Sequence, residues 1–163
     1  MRSELYTAIK GRLEHDPIGI KHIDLWNNHT ENIGTGDIFP LPAVFIEFAP
    51  IDWRRQARGQ ARGDLQVSLH IITRSEPWQS DSKPVEHPVS YLELLEQIQS
   101  RLIGLCGKHF SPLQPTSSET DHNARELLHS IESFVCQAVG LIEPRGQKTV
   151  VPVQLILHGD NSI

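Results

Sequence analysis

Residues 40–75 read PLPAVFIEFAPIDWRRQARGQARGDLQVSLHIITRS, and this segment gives the most information about the fold of the chain. Its first part, Ala43–Phe48, is apolar on both faces, which predicts a strand inside a sheet. In its last part, Leu65–Thr73 alternates apolar with polar side chains at period two, the clearest strand pattern in the sequence. About sixteen residues separate the two strands, so the stretch predicts an antiparallel hairpin with a long projecting tip.

Two amphipathic segments outside this hairpin predict helices. Near the start of the chain, Leu5, Ile9 and Leu13 recur at the spacing of one helical stripe. The second helix has a wider apolar stripe, and the S-x-x-E pattern of Ser90 and Glu93 predicts that it opens at Ser90. The glycines expected to end the second helix are Gly104 and Gly107. We expect both helices to pack on one face of the sheet.

Shorter patterns predict the remaining elements. Asn123–Ser133 suits either a helical turn or a period-two strand, whereas the Pro/Ser/Thr-rich stretch Ser111–Asp121 predicts a loop. The further predicted strands are Ile20–Trp26, Phe134–Leu141 and Val150–His158. Hairpin-paired strands with helices on one side favour an α+β fold. We therefore expect a mainly antiparallel sheet of about four strands, in a single domain spanning residues 1–163.

The formal net charge of −5 conceals a local concentration of positive charge. Four of the fifteen Lys and Arg residues lie within the tip Arg54–Arg62, so the remainder of the chain has a formal net charge of −9. Such a tip either faces an anionic partner or is simply solvated, and the sequence favours neither interpretation. The residues that we expect to contact a partner are Trp53, Arg54, Arg55, Arg58 and Arg62.

The sequence contains no pattern that predicts catalysis or metal binding. None of its nine histidines is two, three or four positions from another, the spacings that place a ligand pair on one strand or helix. His70 falls on the polar face of its strand, and Cys106 and Cys136 are predicted to be core cysteines. The signatures of serine hydrolases, zinc proteases, P-loops and dinucleotide binding are missing. We expect no enzymatic activity, cofactor or metal, although a site assembled from dispersed histidines stays an alternative.

In the order and spacing of these segments, the chain resembles the tail terminator (tail completion) family of long-tailed bacteriophages. The quoted hairpin unit carries the resemblance, together with the opening helix SELYTAIKGRLEHD, the capped helix SYLELLEQIQSRLIGL and the closing strands SFVCQAVGLI and KTVVPVQLILHG. The resemblance implies a small α+β subunit that closes into a hexameric ring on the head-proximal end of the tail tube. It further implies that the ring ends tube polymerisation, provides the surface for head attachment and is not an enzyme.

The resemblance also implies partners and a location. The partners are further copies of the chain, the tail tube protein and the head–tail connector protein, with DNA passing transiently through the ring. The location is the virion tail of a phage or prophage, assembled in the bacterial host cytoplasm, with no membrane involved. The tip Arg54–Arg62 either contacts a neighbouring subunit or the tube protein, or lines the lumen through which DNA passes. We favour the subunit or tube contact, because tight phosphate contacts in the lumen would impede DNA passage. The alternatives are a head-completion or neck protein, and a nucleic-acid-binding module that uses the tip.

Overall fold

The computed structural model describes residues 1–15, 18–27, 39–56, 59–74, 87–121 and 127–141. These ranges contain two helices and six strands. The helices are α1 (Arg2–His15) and α2 (His87–Leu102). The strands are β1 (His22–Leu25), β2 (Ala43–Phe48), β3 (Arg54–Arg55), β4 (Gln60–Arg74), β5 (Gln114–Asp121) and β6 (Leu127–Leu141). The fold class is α+β, as predicted.

The strands form one mixed sheet in the order β1-β2-β4-β6-β5, with β3 also paired to β4. β2 and β4 are antiparallel, with Phe48 opposite Val67 and Ala43 opposite Ile72, which confirms the predicted hairpin. β1 lies within the predicted strand Ile20–Trp26 and runs parallel to β2. Residues 26–42 are long enough for the return connection that a parallel pair needs. Four of the five strand pairs of the described residues are antiparallel, which confirms the prediction of a mainly antiparallel sheet, whereas the predicted count of about four strands is wrong.

β5 is a strand in the stretch that was predicted to be a loop. It pairs antiparallel with β6, with a register shift between Pro115 and Ser117. Seven of its eight residues are exposed, on both faces of the strand. A strand of this kind buries no apolar side chain, so it has no period-two hydrophobic pattern to recognise. The loop prediction failed for that reason.

β6 resolves the ambiguous stretch Asn123–Ser133 as strand from Leu127 onwards. It continues without a break to Leu141 and pairs with β4 along the whole of both strands, from Gln60 opposite Leu141 to Arg74 opposite Leu127. The predicted strand Phe134–Leu141 is its second half. The predicted strand Val150–His158 lies outside the described residues.

The predicted tip is mostly folded into the sheet. Arg54 lies opposite Arg62 in the β3–β4 pair, and the N–H of Gln56 donates to the carbonyl of Gln60 at 2.7 Å. Along its other edge, β4 pairs with β6 as far as Gln60. A long projecting tip is therefore the wrong description: β6 is long enough to flank the hairpin almost to its turn.

Both helices pack against the same face of the sheet, as predicted. α1 contributes Leu5, Ile9 and Leu13, all at most 1% exposed, and these confirm the predicted stripe. The other buried members of this core are Val44, Ile46, Leu65, Val67, Leu69, Ile71, Leu94, Ile98, Leu102, Leu105, Phe110, Leu113, Phe134, Cys136 and Ala138. Full burial of one such aliphatic side chain stabilises the fold by about 1.5–3 kcal/mol. Neither helix of the described residues is both long and apolar enough to cross a membrane.

α2 begins at His87, three residues before the predicted start at Ser90, so the capping-box prediction of the helix start is wrong. Pro88 can stand in the first turn, because the N–H groups of that turn have no partner within the helix. α2 ends at Leu102, and Gly104 has φ +78°, in the left-handed region that favours glycine. The predicted glycine stop is confirmed.

Candidate functional site

Four of the five residues predicted to contact a partner lie together at one end of the sheet. Trp53, Arg54, Arg55 and Arg62 are all exposed, and we refer to these four residues as the arginine patch. Arg54 and Arg55 form β3, and Arg62 lies near the start of β4. Arg58 lies outside the described residues.

The arginine patch contains a like-charge pair. Arg54 and Arg62 occupy directly opposite positions in an antiparallel register, so their side chains leave the sheet on the same face. They border a shallow pocket of about 150 Å³ with Asp64 and Gln137. Among the described residues no carboxylate lies within 4.0 Å of a patch guanidinium group. Because like charges directly across a strand pair destabilise a sheet, a carboxylate or phosphate supplied from outside would stabilise this end.

Two glycines position the patch. A Cβ atom at Gly63 would come within 2.5 Å of Cγ2 of Ile51 and 2.8 Å of the carbonyl oxygen of Asp52. Only glycine therefore lets the segment before β3 cross this part of β4. At Gly140 of β6, an added Cβ would lie 3.2 Å from two ring carbons of Trp53. The indole rests on the β6 backbone on the helix side of the sheet and stays 43% exposed, on the side of the Arg55 position and opposite the face of Arg54 and Arg62.

On the face away from the helices, four side chains form a continuous hydrogen-bonded row, which we call the histidine network. A carboxylate oxygen of Glu47 lies 3.0 Å from Nε2 of His70. Nδ1 of His70 lies 3.0 Å from Nε2 of His129, and Nδ1 of His129 lies 3.2 Å from a carboxylate oxygen of Asp121. The row crosses β2, β4, β6 and β5 in that order. It therefore links four strands through their side chains.

The network has a preferred proton count. Three hydrogen bonds between two ionised carboxylates and two imidazoles require three imidazole protons, one more than two neutral rings carry. Burial lowers the pKa of His70, the charge of His129 lowers it further, and the hydrogen bond to Glu47 opposes both effects. With His70 neutral, its Nε2–H donates to Glu47 and its Nδ1 accepts from His129. If both imidazole rings carried two protons, the N–H groups at Nδ1 of His70 and Nε2 of His129 would face each other, and the hydrogen bond between the two rings would be lost.

Trp26 covers the network. Its ring lies parallel to the His70 ring, with centroids 3.8 Å apart and 4° between the planes, and also stacks on His129 at 5.6 Å. His70 and His129 are 6% and 3% exposed. A smaller apolar cluster around Phe45 surrounds them on this face. The network is thus a buried polar feature with tightly held side chains.

Sequence reasoning missed the histidine network because its members are far apart along the chain. Period-two alternation correctly assigned His70 to the polar side of its strand, yet that side is covered, not solvated. His129 lay in the stretch of ambiguous secondary structure. Only the register of β4 against β6 brings the two rings together. Within the described residues no group of three or more His, Cys, Asp or Glu side chains is arranged to hold a metal ion.

A second buried polar group lies under the first half of α2. The hydroxyls of Tyr91 and Ser130 are hydrogen-bonded, and the Ser118 hydroxyl donates to Glu132 at 2.5 Å. Burial raises the pKa of Glu132, and the hydrogen bond from Ser118 partly offsets this effect. These contacts connect α2 and β5 to β6. No pattern in the sequence indicated them.

The two cysteines differ in their surroundings. Cys136 is buried in β6, which confirms its prediction as a core residue, and burial raises the pKa of its thiol to about 11. Cys106 is exposed. The core prediction for Cys106 is wrong because this residue follows the end of α2 and does not continue its apolar stripe.

The fold is similar to that of a chain in a virus-like particle. A chain of the structure described as "Virion of native gene transfer agent (GTA) particle" superposes with a TM-score of 0.55. The match has 14% sequence identity and covers 83% of this chain and 95% of that chain. At this identity the likeness establishes a shared fold. No protein-family model and no curated protein matches the sequence.

Proposed function

We propose that the protein is a structural component of a phage-like virion, the subunit of a ring that closes the head-proximal end of the tail tube. In this role the ring ends tube polymerisation and provides the surface for head attachment. The observation that carries the proposal is the likeness to a virion chain over 95% of that chain's length. It agrees with the resemblance of the sequence to tail terminators, which covers nearly all of the present chain.

The arginine patch supports assembly in preference to catalysis. At one end of the sheet it presents an exposed indole and three exposed arginines, and within the described residues none of these arginines forms an ion pair. Tryptophan and arginine are the residues most enriched at the energetic centres of protein interfaces. The proposed partners are further copies of this chain in a hexamer, the tube protein and the head-side connector. The proposed location is the virion tail, assembled in the cytoplasm of the bacterial host, and the proposed role is not enzymatic.

Removal of the protein from the producing phage or prophage tests the proposal. We expect electron microscopy to show tails of irregular, excessive length that carry no head, and a plasmid copy of the wild-type chain to restore normal particles. Tails of normal length lying beside complete heads would instead identify a head-completion or neck protein. Normal particles in the absence of the chain would contradict any structural role in assembly.

The purified protein provides a second test. A ring of six predicts a solution mass of six times the chain mass of 18.4 kDa by light scattering. A monomer that shifts a DNA probe at physiological salt would favour the nucleic-acid-binding alternative, because non-specific phosphate binding is weak at that ionic strength.

A further inference from the structure

The structure contains a second exposed surface whose chemistry is complementary to the arginine patch. On α2, Leu92 is 56% exposed, and Glu93 and Glu96 are exposed beside it. Leu92 and Glu96 are one helical turn apart and therefore neighbours on the helix surface. Among the described residues no basic side chain forms an ion pair with either glutamate. We refer to Leu92, Glu93 and Glu96 as the α2 surface.

The two surfaces match in composition. At the arginine patch Arg54 and Arg62 leave one face of the sheet and the exposed indole of Trp53 lies on the other face of the same end, whereas the α2 surface offers two carboxylates beside an aliphatic side chain. Guanidinium groups bind carboxylates through two parallel hydrogen bonds, so two arginines and two glutamates suit each other in geometry as well as in charge.

The two surfaces cannot meet within one subunit. Tyr91, next to the α2 surface, bonds to Ser130, which lies opposite Ile71 of β4. Arg62, in the arginine patch, lies nine residues before Ile71 on the same strand. At about 3.3 Å per strand residue, Arg62 and Ile71 are about 30 Å apart along β4, and because α2 runs towards the patch at about 1.5 Å per residue, the α2 surface lies about 20–30 Å from the patch. That distance far exceeds the 4 Å of an ion pair, so a second molecule must supply the partner for each surface.

We propose that the arginine patch of one copy binds the α2 surface of the next copy, head to tail. Two different complementary surfaces at opposite ends of one subunit make a heterologous contact, which closes into a ring when the rotation between neighbours is a simple fraction of a turn. The proposal rests on the ring function above and names the contact that builds the ring. It also accounts for the arginine pair, because the neighbour's carboxylates neutralise Arg54 and Arg62 across the interface.

Charge exchange tests the contact in solution. We expect Arg54→Glu with Arg62→Glu to dissociate the oligomer, raising the subunit dissociation constant about tenfold or more, and Glu93→Lys with Glu96→Lys to do the same. All four changes in one chain should restore the wild-type mass, since each contact again joins opposite charges. An equimolar mixture of the two double variants should also assemble. A matched control reverses two exposed glutamates elsewhere, Glu14→Lys with Glu119→Lys, and should leave the mass unchanged.

Cross-linking in purified particles tests the same contact where the ring is held by its partners. In a Cys106→Ser background, Arg62→Cys with Glu96→Cys should give, with a short bismaleimide, a ladder of covalent multimers that stops at six. Cys136 is buried and should not react. Each single-cysteine chain is the control and should give no ladder.

The outcomes separate the contact from the function. A ring that keeps its mass after charge reversal, or particles that yield no multimers, would overturn the contact while the deletion phenotype still supports a terminator. If deletion leaves tails normal, the function fails. If circular dichroism shows that a double variant is unfolded, the variant with all four charge changes is measured in its place. If that variant is folded and does not assemble, the result also overturns the contact.

Discussion

The pH dependence of stability should change when His70 of the histidine network is replaced by glutamine. Glutamine retains a donor and an acceptor, yet it does not titrate. His70 is 6% exposed, and burial lowers its pKa in the folded protein. In the unfolded chain the same ring titrates near its ordinary value of about 6.5. The unfolded state therefore binds a proton more readily, and His70 contributes stability that is present above that pKa and is lost as the pH falls below it.

The magnitude follows from the proton difference. One extra proton bound by the unfolded state lowers the free energy of unfolding by up to about 1.4 kcal/mol for each pH unit. Below pH 6.5 the wild-type protein should approach this slope until His70 protonates in the folded state, which breaks its bond to His129. His70→Gln should lose that part of the slope. At pH 7.5 it should be less stable by about 1–3 kcal/mol, because the buried His129 loses a well-aligned partner.

Urea unfolding between pH 7.5 and 5.5 measures both quantities, since the free energy falls linearly with denaturant and the slope reports the exposed surface. His22→Gln is the matched control: its side chain is 34% exposed and belongs to β1, outside the network. Equal pH slopes for His70→Gln and the wild-type protein, at unchanged urea dependence, would refute the assignment of the acid sensitivity to His70.

Three further predictions follow from single side chains. Gly63→Ala should destabilise the fold by about 1–3 kcal/mol in urea unfolding, because its Cβ would overlap Ile51 and the backbone beside it; an unchanged midpoint would contradict the close approach. Near pH 8, thiol titration of the folded protein should detect Cys106 alone, with Cys136 reacting only in denaturant, because its pKa is about 11. Glu132→Gln should raise the free energy of unfolding at pH 7. Burial raises the pKa of Glu132 in the folded protein, so its contribution to stability is fully present below the unfolded pKa and is lost as the pH rises through the folded pKa. A lower free energy for this variant would show that the ionised carboxylate stabilises the fold.

The elements that the sequence predicted correctly are those that bury an apolar pattern. β2, β4 and both helices place repeated hydrophobic residues in the core, and their burial is what creates the pattern. β5 buries almost nothing, and only the backbone of β6 makes it a strand. The parallel pairing of β1 depends on the path of a connection, and local residue types do not encode that path.

Among the candidate surfaces, too, the sequence predicted only the one whose residues form a local pattern along the chain. The sequence identified the arginine patch because its charges lie close together along the chain, although the arrangement of Arg54 and Arg62 as a cross-strand pair needed the register of β3 against β4. The histidine network draws one residue from each of four strands, so no spacing along the chain could have predicted it. The α2 surface was hidden for a different reason. Its residues resemble any exposed helical turn until its position relative to the patch is known.

The histidine network and the arginine patch lie toward opposite ends of the same strand pair, β4 and β6, and this arrangement connects stability to assembly. A slip of one residue between two strands would exchange the two faces of the slipped strand. Such a slip would move His129 towards the apolar core on the helix side, where its hydrogen bonds would be lost. The network, together with the bond between the hydroxyls of Ser68 and Ser133, therefore penalises every register but the native one. Because that register also sets where Trp53 meets Gly140, the buried polar row fixes the geometry of the surface that we propose joins one subunit to the next.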